Sequence, residues 1–226
     1  MARILSLARK PLFQKTVALS DASMIACSRS YISEMRRSTL KDNLLRILRT
    51  EITYESEYRP PRPSASSFDS FSVEDRPGEQ WIRLRRKFGE VEDIKIDATM
   101  FDGAVPSGPP AAEGGEEDPR LHMSLVVEVS KGEASGFDLQ FVCSAWQDSL
   151  DVVKVYPVSR LHAALRPYMG PNFKELDDEL QEAIRSYLEE RGVNDDLAEF
   201  LHEYMVNKDK VEFIRWMKNV EAYVKK

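Results

Sequence analysis

The feature that most constrains this chain is a change of hydrophobic period. From Phe68 to Pro157 apolar residues recur at every second position, as in Ile82 and Leu84 or Ile94 and Ile96. That spacing puts alternate side chains on one face of a strand. It predicts strands near Phe68–Glu74, Trp81–Phe88, Val91–Thr99, Leu121–Lys131, Gly136–Trp146 and Leu150–Tyr156. The connectors Arg76-Pro77-Gly78, Phe88-Gly89-Glu90 and Lys131 to Gly136 are short and turn-like. Short connections join only antiparallel neighbours, because a parallel pair needs a long crossover. Residues 68–157 are therefore an antiparallel meander. One connector differs: Asp102 to Asp118 is rich in Pro and Gly, carries Glu113, Glu116, Glu117 and Asp118, and reads as a mobile, exposed acidic loop.

Both flanks return to helical spacing. Leu40, Leu44, Leu48 and Ile52 repeat every four residues after Ser38, a candidate N-cap, and Pro60-Pro61-Arg62-Pro63 ends the run. An N-terminal helix over 38–59 follows. Over 172–226, Asn172-Phe173-Lys174-Glu175 has capping-box form, followed by an apolar face of Leu176, Leu180, Ile184, Tyr187 and Leu188, with Gly192 as the stop. Asn194 caps the next helix, which turns Leu197, Phe200, Leu201, Tyr204 and Met205 inward. Asp209 either breaks that helix or lies within it, and Ile214, Met217, Val220 and Val224 carry the stripe onward. The two terminal stripes are long enough to pack together. The order helix, sheet, two helices is an α+β class. With 226 residues, 42% of them hydrophobic, the chain has material for one domain with a core, and wholesale disorder is excluded.

Charge is unevenly divided. Residues 1–31 hold five bases against Asp21 alone, so they carry +4 and leave −10 on residues 32–226. Ile4, Leu5, Ala8 and Leu12 fall on one helical side of this Arg- and Ser-rich leader, the pattern of a mitochondrial transit peptide. Arg29-Ser30-Tyr31-Ile32 places cleavage between Tyr31 and Ile32 and the mature domain at 32–226 in the mitochondrial matrix. No window approaches the ~18 apolar residues of a membrane span.

Little of the chain points to covalent chemistry. His122, His162 and His202 have no metal-ligand spacing, and phosphate-binding, dinucleotide and nucleophile-elbow motifs are missing from the sequence. No catalytic residue, metal site or cofactor is expected. Pairing Ile82 with Ile96 and Leu84 with Ile94 puts Arg85 opposite Asp93 and Arg86 opposite Glu92. Cross-strand ion pairs thus account for the basic strand Arg83, Arg85, Arg86 and Lys87 and disfavour direct nucleic-acid binding. Cys143 reads as a small buried hydrophobe. The densest signal lies in residues 174–203, where eleven acids face three bases, for −8. Asp178, Glu182, Glu189, Glu190, Asp195, Asp196 and Glu199 form the candidate protein-binding face, and a basic protein is the matching partner. The other class of reading is a carboxylate-based divalent-cation site or enzyme using the acidic loop and Asp177/Asp178.

The run Tyr168-Met169-Gly170-Pro171-Asn172-Phe173, then Leu176-Asp177, Leu180-Gln181 and Tyr187 to Val193, resembles the mitochondrial acidic matrix protein family. This family, also called the mitochondrial glycoprotein family, includes the animal receptor for the globular heads of complement. The strand Leu125 to Val129 and the tail from Phe200 to Val224 fit as well. The resemblance implies a strongly twisted antiparallel sheet of about seven strands flanked by one N-terminal and two C-terminal helices. It also implies a doughnut-shaped homotrimer supported by the terminal helices. In function it implies a non-enzymatic, chaperone-like or scaffold protein that captures basic clients and supports the mitochondrial ribosome, translation and oxidative phosphorylation. The acidic loop is short beside those of animal members, and no Asn-x-Ser/Thr sequon occurs.

Overall fold

In the computed structural model, which describes residues 17–105, 120–132, 135–160 and 168–226, the period-two segment forms the expected antiparallel sheet. Its strands are β1 (Ser67–Phe68), β2 (Phe71–Asp75), β3 (Trp81–Phe88), β4 (Glu92–Thr99), β5 (Gly103–Val105), β6 (Arg120–Ser130), β7 (Phe137–Ala145) and β8 (Leu150–Ser159). The order is β1-β2-β3-β4-β6-β7-β8, with β5 paired beside the path to β6, so consecutive strands pair throughout except β4 and β5. The sheet is twisted, and the chain carries one N-terminal and two C-terminal helices, as expected.

Three details of the sheet differ from the sequence reading, each for a local reason. The first expected strand is two: Asp69, at φ 46, turns the chain between β1 and β2, and Phe68 pairs Phe71. The β3–β4 register is shifted by two residues. Leu84 faces Ile96 and Ile82 faces Ala98, because Gly89, Glu90 and Val91 form a three-residue turn closed by the Phe88–Glu92 pair. The expected register would instead have put Phe88, Gly89 and Glu90 in a turn of the same length, one residue earlier in the chain. Lastly, the connector 102–118 is not all loop: Gly103, Ala104 and Val105 pair with His122, Leu121 and Arg120. The His122 ring lies over Gly103 where any Cβ would collide with it, so glycine here serves close approach.

The sheet buries one face. Ile82, Leu84, Ile94, Ile96, Leu125, Val127, Phe141 and Cys143 are buried, and Leu188, Val193, Leu197, Ala198, Leu201 and Met205 of the C-terminal helices join the same cluster. Each fully buried Val, Leu, Ile, Phe or Met side chain among them contributes roughly 1.5–3 kcal/mol. The opposite face is polar and ion-paired. Arg83 binds Asp97 with two hydrogen bonds of 2.6 and 2.9 Å, Arg85 pairs Glu74 at 3.0 Å, and Lys95 pairs Glu128 at 2.7 Å. The ion pairs expected for Arg85 and Arg86 therefore exist with other partners, Arg86 meeting Asp69 at 3.7 Å.

The capping-box segment opens only a single 3-10 turn, Phe173–Glu175. Asp177 caps α2 (Asp178–Glu189) by accepting the Glu179 N–H at 3.0 Å. Gly192, at φ 75, ends that region. Asn194 accepts the Leu197 N–H at 3.1 Å and starts α3 (Asp195–Lys225), which runs through Asp209.

Among the described residues, the helical segments 17–54 and 217–225 form a compact unit of their own. The N-terminal helix α1 spans Val17–Glu57 and does not begin at Ser38. No Gly or Pro interrupts 17–57, and Thr39 donates back to the Met35 carbonyl at 2.9 Å within the helix. Arg49 pairs Glu221 at 2.8 Å, and Lys41 donates to the Lys225 carbonyl. The inward line is Leu45 and Leu48, with Ile52 half-buried, whereas Leu40 and Leu44 of the expected stripe are exposed.

Candidate functional site

The acid-rich segment rests on a helix fixed from below. In α2 the buried line runs through Gln181 and Leu188, with Ile184 and Tyr187 packed against the core. Gln181 donates to the Leu176 carbonyl at 2.8 Å and accepts from Arg185 at 3.1 Å. Leu180, expected inside, is 48% exposed, because the buried line is rotated by one residue toward Gln181. Asp178, Glu182, Glu189, Glu190, Asp195, Asp196 and Glu199 are all exposed. They are not all equally free. Glu182 meets Arg185 at 3.7 Å, Glu190 meets Arg191 at 3.6 Å, and Asp195 accepts the Leu150 N–H at 2.8 Å. Asp178, Asp195 and Asp196 lie in the first turns of their helices, where negative charge complements the helix dipole.

Glu113, Glu116, Glu117 and Asp118 lie outside the described residues. Tyr31 and Ile32 are exposed positions within α1. Asp177 and Asp178 do not converge: the first is a helix cap, and the second lies in the first helical turn with its side chain in solvent. Among the described residues no group of three or more His, Cys, Asp or Glu is placed to hold a metal, and no helix is long and apolar enough to cross a membrane. His202 is buried and donates from Nε2 to the Ala145 carbonyl at 3.1 Å. His122 packs on Trp146. Burial, with Asp151 nearby, pushes the Cys143 thiol up to about 12, far from a nucleophile's range.

Sequence reasoning missed the charges that are inside. Arg191 and Glu92 pair at 2.8 Å with side chains only 8% and 9% exposed. The Arg191 guanidinium also donates to the Tyr187 carbonyl and lies 3.5 Å from the Tyr187 ring centroid. Burial alone would push the Glu92 carboxyl up; Arg191, and then Lys131, hold it below the ordinary range. A second network joins the buried Lys208 to Asp75, which also accepts from the Tyr204 hydroxyl at 3.0 Å. For Lys208 the sequence hint was a basic residue on the inward side of α3, whereas Arg191 lies in the turn after α2, where no periodicity marks a buried position.

The site is thus an antiparallel sheet carrying an exposed acidic helix. The sequence profile of the family described as mitochondrial glycoprotein matches residues 48–224. The chain belongs to the mitochondrial glycoprotein family. An uncharacterized mitochondrial protein of Arabidopsis thaliana is 29% identical, the match covering 97% of this chain and 86% of the relative. The mitochondrial acidic protein mam33 of Schizosaccharomyces pombe is 26% identical, with 85% and 84% covered. The crystal structure of the Trypanosoma brucei p22 protein superposes with a TM-score of 0.66 at 21% identity, covering 82% of this chain and 99% of p22. A Leishmania major protein described as a homologue of human p32 gives 0.63 at 18% identity, with 81% and 98% covered. These neighbours share the fold of this member of the mitochondrial glycoprotein family, and the sequence relatives bear the names of mitochondrial proteins.

Proposed function

We propose that the chain is a non-enzymatic, acidic binding protein of the mitochondrial matrix that captures basic clients as a chaperone-like or scaffold factor, in support of mitochondrial translation and oxidative phosphorylation. The observation that carries this reading is the exposure of eight carboxylates from Asp178 to Glu199, on or next to helices whose other sides are packed into the core. A fixed array of like charges attracts a basic partner without the ordering cost of a free segment. In this reading the leader is removed between Tyr31 and Ile32, and the mature chain forms a homotrimer that multiplies the acidic face. The acidic loop with Glu113, Glu116, Glu117 and Asp118 plays a lesser part than α2.

Capture of matrix proteins by the purified chain tests the reading. Clients should be basic, and their retention should fall steeply between about 50 and 200 mM salt. Replacing Asp178, Glu182 and Glu189 with Lys should leave the fold intact, since all three are exposed, but should slow association and remove its salt dependence. Retention by the triple variant equal to that of the parent chain would refute the assignment of the face.

A further inference from the structure

Beside the acidic face of α2 lies a groove that binding by charge does not require. It has a volume of about 490 Å³ and is walled by Phe137, Leu139 and Pro157 of the sheet and by Ala183, Ile184 and Tyr187 of α2. Two apolar side chains stand in solvent there: Phe137, on the groove wall, is 58% exposed, and Leu180, at 48%, shares the helical face of Ala183, Ile184 and Tyr187 through its i+3, i+4 and i+7 spacing. The groove is held open from behind. Tyr187 is clamped by the Arg191 guanidinium at 3.5 Å, and Arg191 is itself fixed by the buried Glu92.

The polar residues on the sheet side of the groove are already engaged, Lys131 with Glu92 at 3.3 Å and Asp138 with Arg160. The neighbouring helix edge is only partly neutralised: its five acids from Asp178 to Glu190 meet two arginines, Arg185 at 3.7 Å from Glu182 and Arg191 at 3.6 Å from Glu190. At 100° per residue, Glu179 and Glu190 follow directly around α2 from Ala183, and Glu182 lies one step beyond. An apolar slot bordered on one side by a row of carboxylates matches one chemistry, an apolar stripe bordered by Lys or Arg.

We infer that this groove docks the apolar stripe of a cationic amphipathic helix, with the basic edge of that helix lying along Glu179, Glu182 and Glu190. Anchors spaced i, i+3 or i+4, and i+7 on the incoming helix fill the slot, and the acids fix its direction. A second copy of this chain is the poorer occupant, since it brings its own acidic surface toward the same carboxylates. The inference rests on the proposed capture of basic clients and sharpens it. The groove selects, among basic segments, those that carry an apolar face.

Two synthetic peptides of equal positive charge separate the two claims. One carries Leu at helical spacing, and the other has Ser at those positions. Measured by fluorescence anisotropy with the full chain, the amphipathic peptide should bind at least ~10-fold more tightly, the gain from burying one or two Leu side chains. Phe137→Ser and Ala183→Gln should each remove most of that advantage and leave the Ser peptide unaffected. Both positions are exposed, and circular dichroism checks that the fold is retained. Replacing Glu179, Glu182 and Glu190 with Gln should weaken both peptides and flatten their salt dependence.

Equal binding of the two peptides, salt-sensitive in both cases, would overturn the groove assignment while leaving the acidic face standing. Binding of neither peptide would overturn both. Groove variants that bound the Leu peptide normally but changed the assembly state on light scattering would give the groove to a second copy and refute the inference.

Discussion

Replacing Arg191 with Met tests how much of the junction between the sheet and α2 depends on one buried charge. The side chain donates to Glu92 at 2.8 Å and to the Tyr187 carbonyl at 2.8 Å, and it stacks on the rings of Tyr187 and Phe88. Methionine keeps the stem and part of the ring contact but leaves the Glu92 carboxylate inside with a single cation, Lys131, at 3.3 Å. Removing one partner of a buried pair costs about 3–5 kcal/mol, and the surviving Lys131 contact points to the low end, about 3 kcal/mol. At 2–4 °C per kcal/mol for a chain of this size, the melting temperature should fall by roughly 6–12 °C. Lys131→Ala, on the exposed side of the same carboxylate, should cost under ~1 kcal/mol. The double variant Glu92→Leu/Arg191→Met should recover most of the loss, since no charge is then stranded. Urea unfolding of the parent chain, these three variants and Glu92→Leu alone, at pH 7 and one fixed concentration, reads every value the comparison needs. An Arg191→Met loss no larger than that of Lys131→Ala, or a double variant as weak as the sum of its single changes, would refute the idea that the pair acts as a buried unit.

Two other outcomes follow from the same geometry. The Arg160 guanidinium, against a smaller opposing effect of burial, holds the Asp138 carboxyl below its ordinary range, as Arg191 does for Glu92. Both groups have depressed folded values, so their stabilisation is complete above the unfolded carboxylate range near ~4 and is lost as pH falls through the lower folded values. Urea midpoints should be flat from pH 7 to about 5 and drop below about 4, and Glu92→Gln should shrink the drop; a main loss above pH 5.5 would contradict the assignment. Gly192→Ala should cost more than Gly89→Ala. Both glycines have positive φ, a strain of roughly 1–2 kcal/mol for alanine, but only at 192 would the new Cβ meet Arg86 at 2.6 Å and Phe71 at 3.2 Å. Equal losses by thermal melting would show that Arg86 simply moves aside.

The strands were legible wherever alternation was unbroken, as from Trp81 to Phe88 and from Leu125 to Val129. Details decided by a turn were not. Asp69 adopts its left-handed conformation inside a run that alternates smoothly, so nothing in the pattern marks the break between β1 and β2. The β3–β4 register depends on the position of a turn, which two apolar pairings satisfied equally well on paper. β5 is hidden because Gly103 and Ala104 carry no alternation signal, and its place is set by the His122 ring across the pair. The acids of α2 were found by counting, since charges at exposed positions need no partner. Arg191 and Lys208 were missed for the converse reason: their partners, Glu92 and Asp75, stand about a hundred residues or more away in sequence. The groove was invisible for the same cause, being assembled from β7, β8 and α2.

The pairing of Val105 with Arg120 has a consequence for how the gene can change. Residues 106–119 join two chain ends already held side by side by the sheet, so their number is nearly free. Closure entropy rises only with the logarithm of loop length, and doubling the length of such a connection costs about 0.6 kcal/mol. The site is therefore an open port in the architecture. Insertions can accumulate there, or a reporter domain can be grafted in, while every strand partner from β1 to β8 is kept.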